Sequence, residues 1–115
     1  MELTVVEQSD DLTVVALDGR LDVQGVSDVE MKFVANTSGR RKPTIVDLSK
    51  VEFIASLGMG MLVSAAQTLK QRGARLVLLK PRELVVDSLN AAGLTSVLTV
   101  SETMQEARQQ AQVAA

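Results

Sequence analysis

This chain of 115 residues is predicted to form a single α/β domain: a mixed four- to five-stranded sheet, an N-terminal hairpin followed by parallel βα units, covered by about four helices. Three observations lead there. Short runs rich in Val, Ile, Leu and Thr alternate with segments of about ten residues whose apolar positions recur at helical spacing, the pattern of parallel βαβ crossovers. Between the first two such runs lies the polar Ser9-Asp10-Asp11, too short a connection for a crossover, which makes a hairpin. Finally, 46% apolar residues suffice for one core, because a folded chain of this length buries about two-thirds of its surface.

The hairpin pairs Leu3–Val6 with Leu12–Leu17, both rich in β-branched residues. From Val26 onward Val29, Phe33 and Val34 share a helical stripe, and Gly39 after Asn36-Thr37-Ser38 is a stop signal. Arg40-Arg41-Lys42-Pro43 is expected to be a solvated basic turn. Thr44–Leu48 is a strand, followed by a tight turn and a second apolar pair, Phe53-Ile54. Leu57–Arg72 is helical, with Gly73 at its C′ position, where a positive φ suits glycine. Arg75–Leu79 is a strand, Arg82–Ala92 a helix ended by Gly93, and Val97–Val100 a last strand. Ser101 is the expected cap of a polar C-terminal helix carrying Glu102 in its first turn. The domain spans 1–115, with its core over about 3–107 and 108–115 as the helix end or a frayed tail. Gly19, Gly39, Gly73 and Gly93 fall at expected element ends; Gly58 and Gly60 lie inside a helix start and need another reason.

Composition narrows the chemistry. With no His and no Cys, the chain has no imidazole base, thiolate, disulfide or soft-metal site. Twelve basic and 14 acidic residues leave a net charge of −2, and Phe33 and Phe53 are the only aromatics, so neither phosphate capture nor base stacking supports a nucleic-acid partner. The opening MELTVVEQSDD lacks the basic and apolar regions of a signal peptide, and no run approaches a membrane span. A cytoplasmic location without membrane association is expected.

The segment VDLSKVEFIASLGMGMLV places a glycine-containing turn between a strand and a helix, a generic way to aim backbone N–H groups at a phosphate. Gly58-x-Gly60 begins a dinucleotide fingerprint, but Val63 occupies the third glycine position and Lys80 stands where the ribose-binding acid belongs. No Walker-type loop exists either, so no cofactor is expected. Ser56 is a natural N-cap, its hydroxyl accepting from the N–H of Gly58 or Met59. The same hydroxyl, exposed at a positive helix end, is a candidate phosphoacceptor.

Several segments together resemble the STAS domain of bacterial anti-sigma factor antagonists. Leu17-Asp18-Gly19-Arg20-Leu21-Asp22 is similar to the family's L-x-G-x-L-D after the second strand. Val46 to Gly60 is similar to V-D-L-S-x-V-x-F-I-D-S-S/T-G-L-G, the longest and most specific match. Leu89 to Leu94 fits L-x-x-x-G-L, and Ser101 to Ala107 loosely fits S-x-x-E-A. The resemblance implies a binding protein and substrate rather than an enzyme. Unphosphorylated, it would bind an anti-sigma factor that is also a serine kinase; phosphorylation at the position of Ser56 would break that complex, and a serine phosphatase would reset it. Ala55 replaces the family's Asp, and Leu57 replaces its Ser or Thr. The implied partner face comprises Asp22, Ala55, Ser56, Leu57, Gly58, Met59, Gly60 and Val63, with Met59 and Val63 one turn apart on the Ser56 side. Leu62, Ala65, Ala66 and Leu69 are expected in the core. The oligomeric state is left open.

Two other readings compete. Ala55 and Leu57 also fit a STAS subunit of a transporter or sensory complex that binds without phosphorylation. An enzyme using Asp22 and Asp47 as acid and base is the other, but no substrate-positioning motif accompanies them.

Overall fold

Alternating Val, Thr and Leu side chains pair Glu2–Gln8 (β1) with Thr13–Leu21 (β2) as an antiparallel hairpin in the computed structural model, which describes residues 1–113. The turn is held by Ser9, whose hydroxyl accepts from the N–H groups of Asp11 and Leu12. The chain continues through Val23–Asn36 (α1), a short 3₁₀ turn at Ser38–Arg40, Thr44–Ile54 (β3), Ser56–Gln71 (α2), Leu76–Leu79 (β4), Glu83–Ala91 (α3), Thr99–Ser101 (β5) and Met104–Ala111 (α4). The five strands lie in the order β1-β2-β3-β4-β5, and every pairing after the hairpin is parallel.

Period-two alternation sorts the side chains onto two faces. Val15, Leu17, Val46, Leu48, Leu76 and Leu78 meet Phe33 of α1, Leu62 of α2 and Leu89 of α3 in the main core. Val14, Ile45, Val77 and Leu79 point the other way, where Ala107 and Ala111 of α4 cover them. A hollow lined by Thr4, Val6, Ala16 and Asp47 lies toward the hairpin side of the sheet.

Several boundaries depart from the sequence reading, each for a local reason. The tight turn expected after Leu48 is instead an unbroken strand of 11 residues. Between the pairs Ala16↔Asp47 and Asp18↔Lys50, and again between Gly19↔Val51 and Arg20↔Phe53, β3 carries one residue more than β2, so two bulges absorb the irregular spacing. The Leu17-to-Asp22 segment therefore lies within and at the end of β2 rather than after it, and Gly19 (φ 123°) sits inside the strand beside a bulge. Helix α1 begins at Val23, three residues earlier than Val26, because Asp22 caps it. Ser101 is a strand residue; Thr103 caps α4 by accepting from the Glu106 N–H at 3.1 Å. Arg40 is no merely solvated cation, since its guanidinium donates to Thr13 Oγ1 and to the Ser9 carbonyl, tying the basic turn to the hairpin. Gly73 (φ 78°) ends α2 as expected, the Ala74 N–H reaching back to the Leu69 carbonyl at 2.9 Å. Of the expected C-terminal segment 108–115, the helix covers residues to Ala111, and residues 114–115 lie outside the described residues.

Where β3 outruns β4, its edge is free for other contacts. Arg82 Nε donates to the Ser49 carbonyl at 2.9 Å there, and α3 packs against β3. This leaves the C-terminal ends of β2 and β3 as the tip of the sheet.

Candidate functional site

Leu21 and Ile54 are register partners at the ends of β2 and β3, so the segments that follow them, Asp22-Val23 and Ala55-Ser56, leave the sheet side by side. Ligand and partner sites in open parallel sheets gather at this end, where helix N-termini present backbone N–H groups. The Ala55 N–H donates to the Leu21 carbonyl at 3.0 Å and fixes the two exits together.

Ala55 has the extended backbone of an N-cap (φ −101°, ψ 172°), but its methyl group accepts nothing, and α2 has no side-chain cap. The expectation that Ser56 caps the helix is thereby corrected. Ser56 is already the first helical residue, whereas capping from a side chain requires the extended residue before it. The first intrahelical bond runs from the Met59 N–H to the Ala55 carbonyl, which leaves the N–H groups of Ser56, Leu57 and Gly58 without helical partners. Ser56 is exposed beside these orphan donors. An anion bound there meets both hydrogen-bond donors and the positive end of the helix dipole.

Asp22 stands on the neighbouring exit as the N-cap of α1, its Oδ1 accepting from the Gly25 N–H at 2.9 Å. That bond holds its carboxyl below the usual aspartate range, and the charge of Arg20 acts in the same direction. Arg20 Nε lies 3.5 Å from Asp22 Oδ2, while its guanidinium carbon stands 4.5 Å from the centroid of the Phe53 ring. Sequence reasoning missed Arg20 as part of this site. Only the parallel register, which sets Arg20 opposite Phe53, reveals it.

The accessible side of α2 is narrower than its apolar sequence indicates. Met61, Leu62, Ala65 and Leu69 are buried, and Ala66 packs half-buried on the main core, in line with the core expected for this helix; Met59 and Val63 are also half-buried and packed there, so only part of each is open on the Ser56 side. Their positions fall between the buried stripe and the solvent stripe, which begins with Ser56, Leu57, Gly60 and Ser64. Gly58 is buried because a Cβ there would stand 2.6 Å from the Leu21 carbonyl oxygen, so only glycine lets α2 approach β2 this closely. Gly60 has no such reason, as a Cβ there would meet nothing within 4 Å. Leu57 is 50% exposed and Val23 69%, which sets two apolar side chains at the same end of the sheet as Ser56.

The alternative acid-base pair is not assembled. Asp47 pairs with Ala16, five residues before Leu21 at the end of β2, about 17 Å along the strand from the exit where Asp22 stands, and its Oδ1 is engaged by the Ser49 N–H. No group of three or more His, Cys, Asp or Glu suited to a metal occurs among the described residues. No helix among them is long and apolar enough to cross a membrane.

The STAS domain model matches residues 4–107, and the chain belongs to that family. It is 22% identical over 107 residues, 93% of this chain and 91% of the relative, to BtrV of Bordetella bronchiseptica, named as an anti-sigma factor antagonist. A Thermotoga maritima crystal structure, also named for an anti-sigma factor antagonist, superposes with a TM-score of 0.81 at 21% identity, covering 96% of this chain and 93% of that one. The anti-sigma factor antagonist SpoIIAA in its unphosphorylated form gives 0.74 at 21% identity over 95% of each chain. The Bacillus SpoIIAA in its phosphorylated form gives 0.68 at 20% identity over 95% of this chain and 98% of that one.

Proposed function

We propose that this protein is an anti-sigma factor antagonist in a partner-switching system. Unphosphorylated, it binds an anti-sigma factor that is also a serine kinase; phosphorylation of Ser56 ends that complex, and a serine phosphatase restores it. In this reading the chain is a substrate and binder rather than a catalyst. The observation that carries the proposal is the exposed Ser56 at the head of α2; the resemblance of Val46 to Gly60 to the family motif supports reading it as the phosphoacceptor. SpoIIAA, solved in both unphosphorylated and phosphorylated forms, lends support from the same fold.

The proposed docking face combines the accessible Ser56, Leu57 and Gly60 with Val23 and the Arg20–Asp22 pair. Ala55, Gly58, Met59 and Val63 shape it from beneath. A phosphoserine brings about −1.5 to −2 charges. Opposite one partner carboxylate at about 8 Å and an effective dielectric of about 20, a doubly charged group is opposed by roughly 4 kcal/mol before screening. Half of that weakens binding about 30-fold. The orphan amides of α2 accommodate the phosphate within the chain, so the switch requires no refolding.

Ala55 and Leu57 favour a second reading, a STAS subunit that binds its partner without phosphorylation. Intact-mass analysis after incubation with source-cell lysate and ATP separates the two. Gain of one phosphate by the native protein but not by Ser56→Ala supports the switch. An unmodified native protein that still captures its partner supports the constitutive subunit.

A further inference from the structure

At the opposite end of α2 from Ser56, a groove of about 400 Å³ opens between the last turns of that helix and the segment leading into β5. Its volume lies within the usual range for small-molecule sites. Lys70 and Arg75 supply its charge, Ser96 and Thr99 its hydroxyls, and Val97 and Leu98 part of its apolar wall. No carboxylate lines it, and neither cation has an ion-pair partner among the described residues.

Arg75 is the feature that needs an explanation. Its side chain is half-buried; Nη1 has only a long 3.5 Å contact with Thr99 Oγ1, and the buried Nε has no hydrogen-bond partner among the described residues. A shielded guanidinium with an unused donor is costly unless an anion meets it. Guanidinium groups bind carboxylates and phosphates through two parallel N–H bonds, and Nε is one of the donors that make such a fork. Val97, 61% exposed beside this charge, offers an apolar surface to the rest of the same molecule.

We infer that this groove binds a small organic oxyanion, its carboxylate or phosphate head held by Arg75 and Lys70 and its apolar body lying against Val97 and Leu98. The site is separate from Ser56 and does not depend on phosphorylation there.

Isotope-edited NMR titration of the full chain with hexyl phosphate, hexanoate, hexan-1-ol and inorganic phosphate tests the inference. Either hexyl anion should shift the Arg75 Nε–H and the amides of Ser96 and Thr99, and its two forms identify the preferred head group. Hexan-1-ol and inorganic phosphate should bind at least about tenfold more weakly, each lacking one half of the recognition. Arg75→Gln and, separately, the exposed Lys70→Gln should each weaken the anion about tenfold while Ser56→Ala changes nothing; circular dichroism establishes that each variant is folded. Equal binding of hexan-1-ol or inorganic phosphate, unchanged affinity in both folded charge variants, shifts confined to the first turn of α2, or no binding of either anion at millimolar concentration would overturn it.

Discussion

Gly58 lies directly against Leu21: a Cβ built on the glycine would stand 2.6 Å from the leucine carbonyl oxygen and 2.7 Å from its Cγ. The same carbonyl receives the Ala55 N–H. One peptide group at the end of β2 thus sets both the approach and the direction of the helix that presents Ser56.

The two glycines of the first turns of α2 should respond oppositely to substitution. Gly58→Ala drives a methyl group into backbone, and the overpacking exceeds the gain in helix propensity, for a net loss of about 1–2 kcal/mol. Gly60→Ala meets nothing within 4 Å and should stabilise the protein by about 0.5–1 kcal/mol. Urea unfolding of both variants measures the contrast. If Gly60 is kept bare for a docking partner, Gly60→Ala will also weaken partner binding despite its greater stability.

Ala55 occupies a capping position with a residue that cannot cap. Ala55→Asp should therefore stabilise the protein by about 1 kcal/mol in thermal or urea unfolding at neutral pH. Phosphorylation of Ser56 should also raise the melting temperature, because its oxygens reach the same unsatisfied first-turn amides. The two gains should be less than additive in the doubly altered protein.

Asp22 makes stability depend on pH in a defined direction. Its folded-state carboxyl is held below the ordinary value of 3.8 by the Gly25 N–H and by Arg20, so the cap contributes fully above that value and is lost as pH falls through the lowered one. Asp22→Asn keeps a competent cap while removing the charge and should flatten this part of the acid-unfolding profile. Asp22→Ala should destabilise the protein at neutral pH and flatten the profile as well.

The sheet and helix order were legible because each relied on local signals: apolar runs of strand length, helical stripes, and Gly73 and Gly93 at helix ends. Residues whose roles depend on register were not. The bulges in β3 carry no distinctive residue, so a continuous strand looked like two pieces joined by a turn. Ser56 was legible as a hydroxyl at the head of a helix, yet its place one residue inside that helix follows from the Ala55–Leu21 bond, which joins positions far apart in the chain. Arg20 entered the site for the same reason, through its pairing with Phe53. Met59 and Val63 illustrate a different limit, because an apolar helix start does not reveal which apolar residues pack inward until its neighbours are in place.

The central claim is that charge at Ser56 controls partner binding, and the affinity of the captured kinase partner for the native protein and for Ser56→Asp tests it most directly. One added charge at about 8 Å is opposed by roughly 2 kcal/mol before screening, so the account predicts at least about a tenfold loss of affinity in Ser56→Asp, diminishing as salt is raised, with Ser56→Ala close to native. Equal affinity of the native and Ser56→Asp proteins would contradict it.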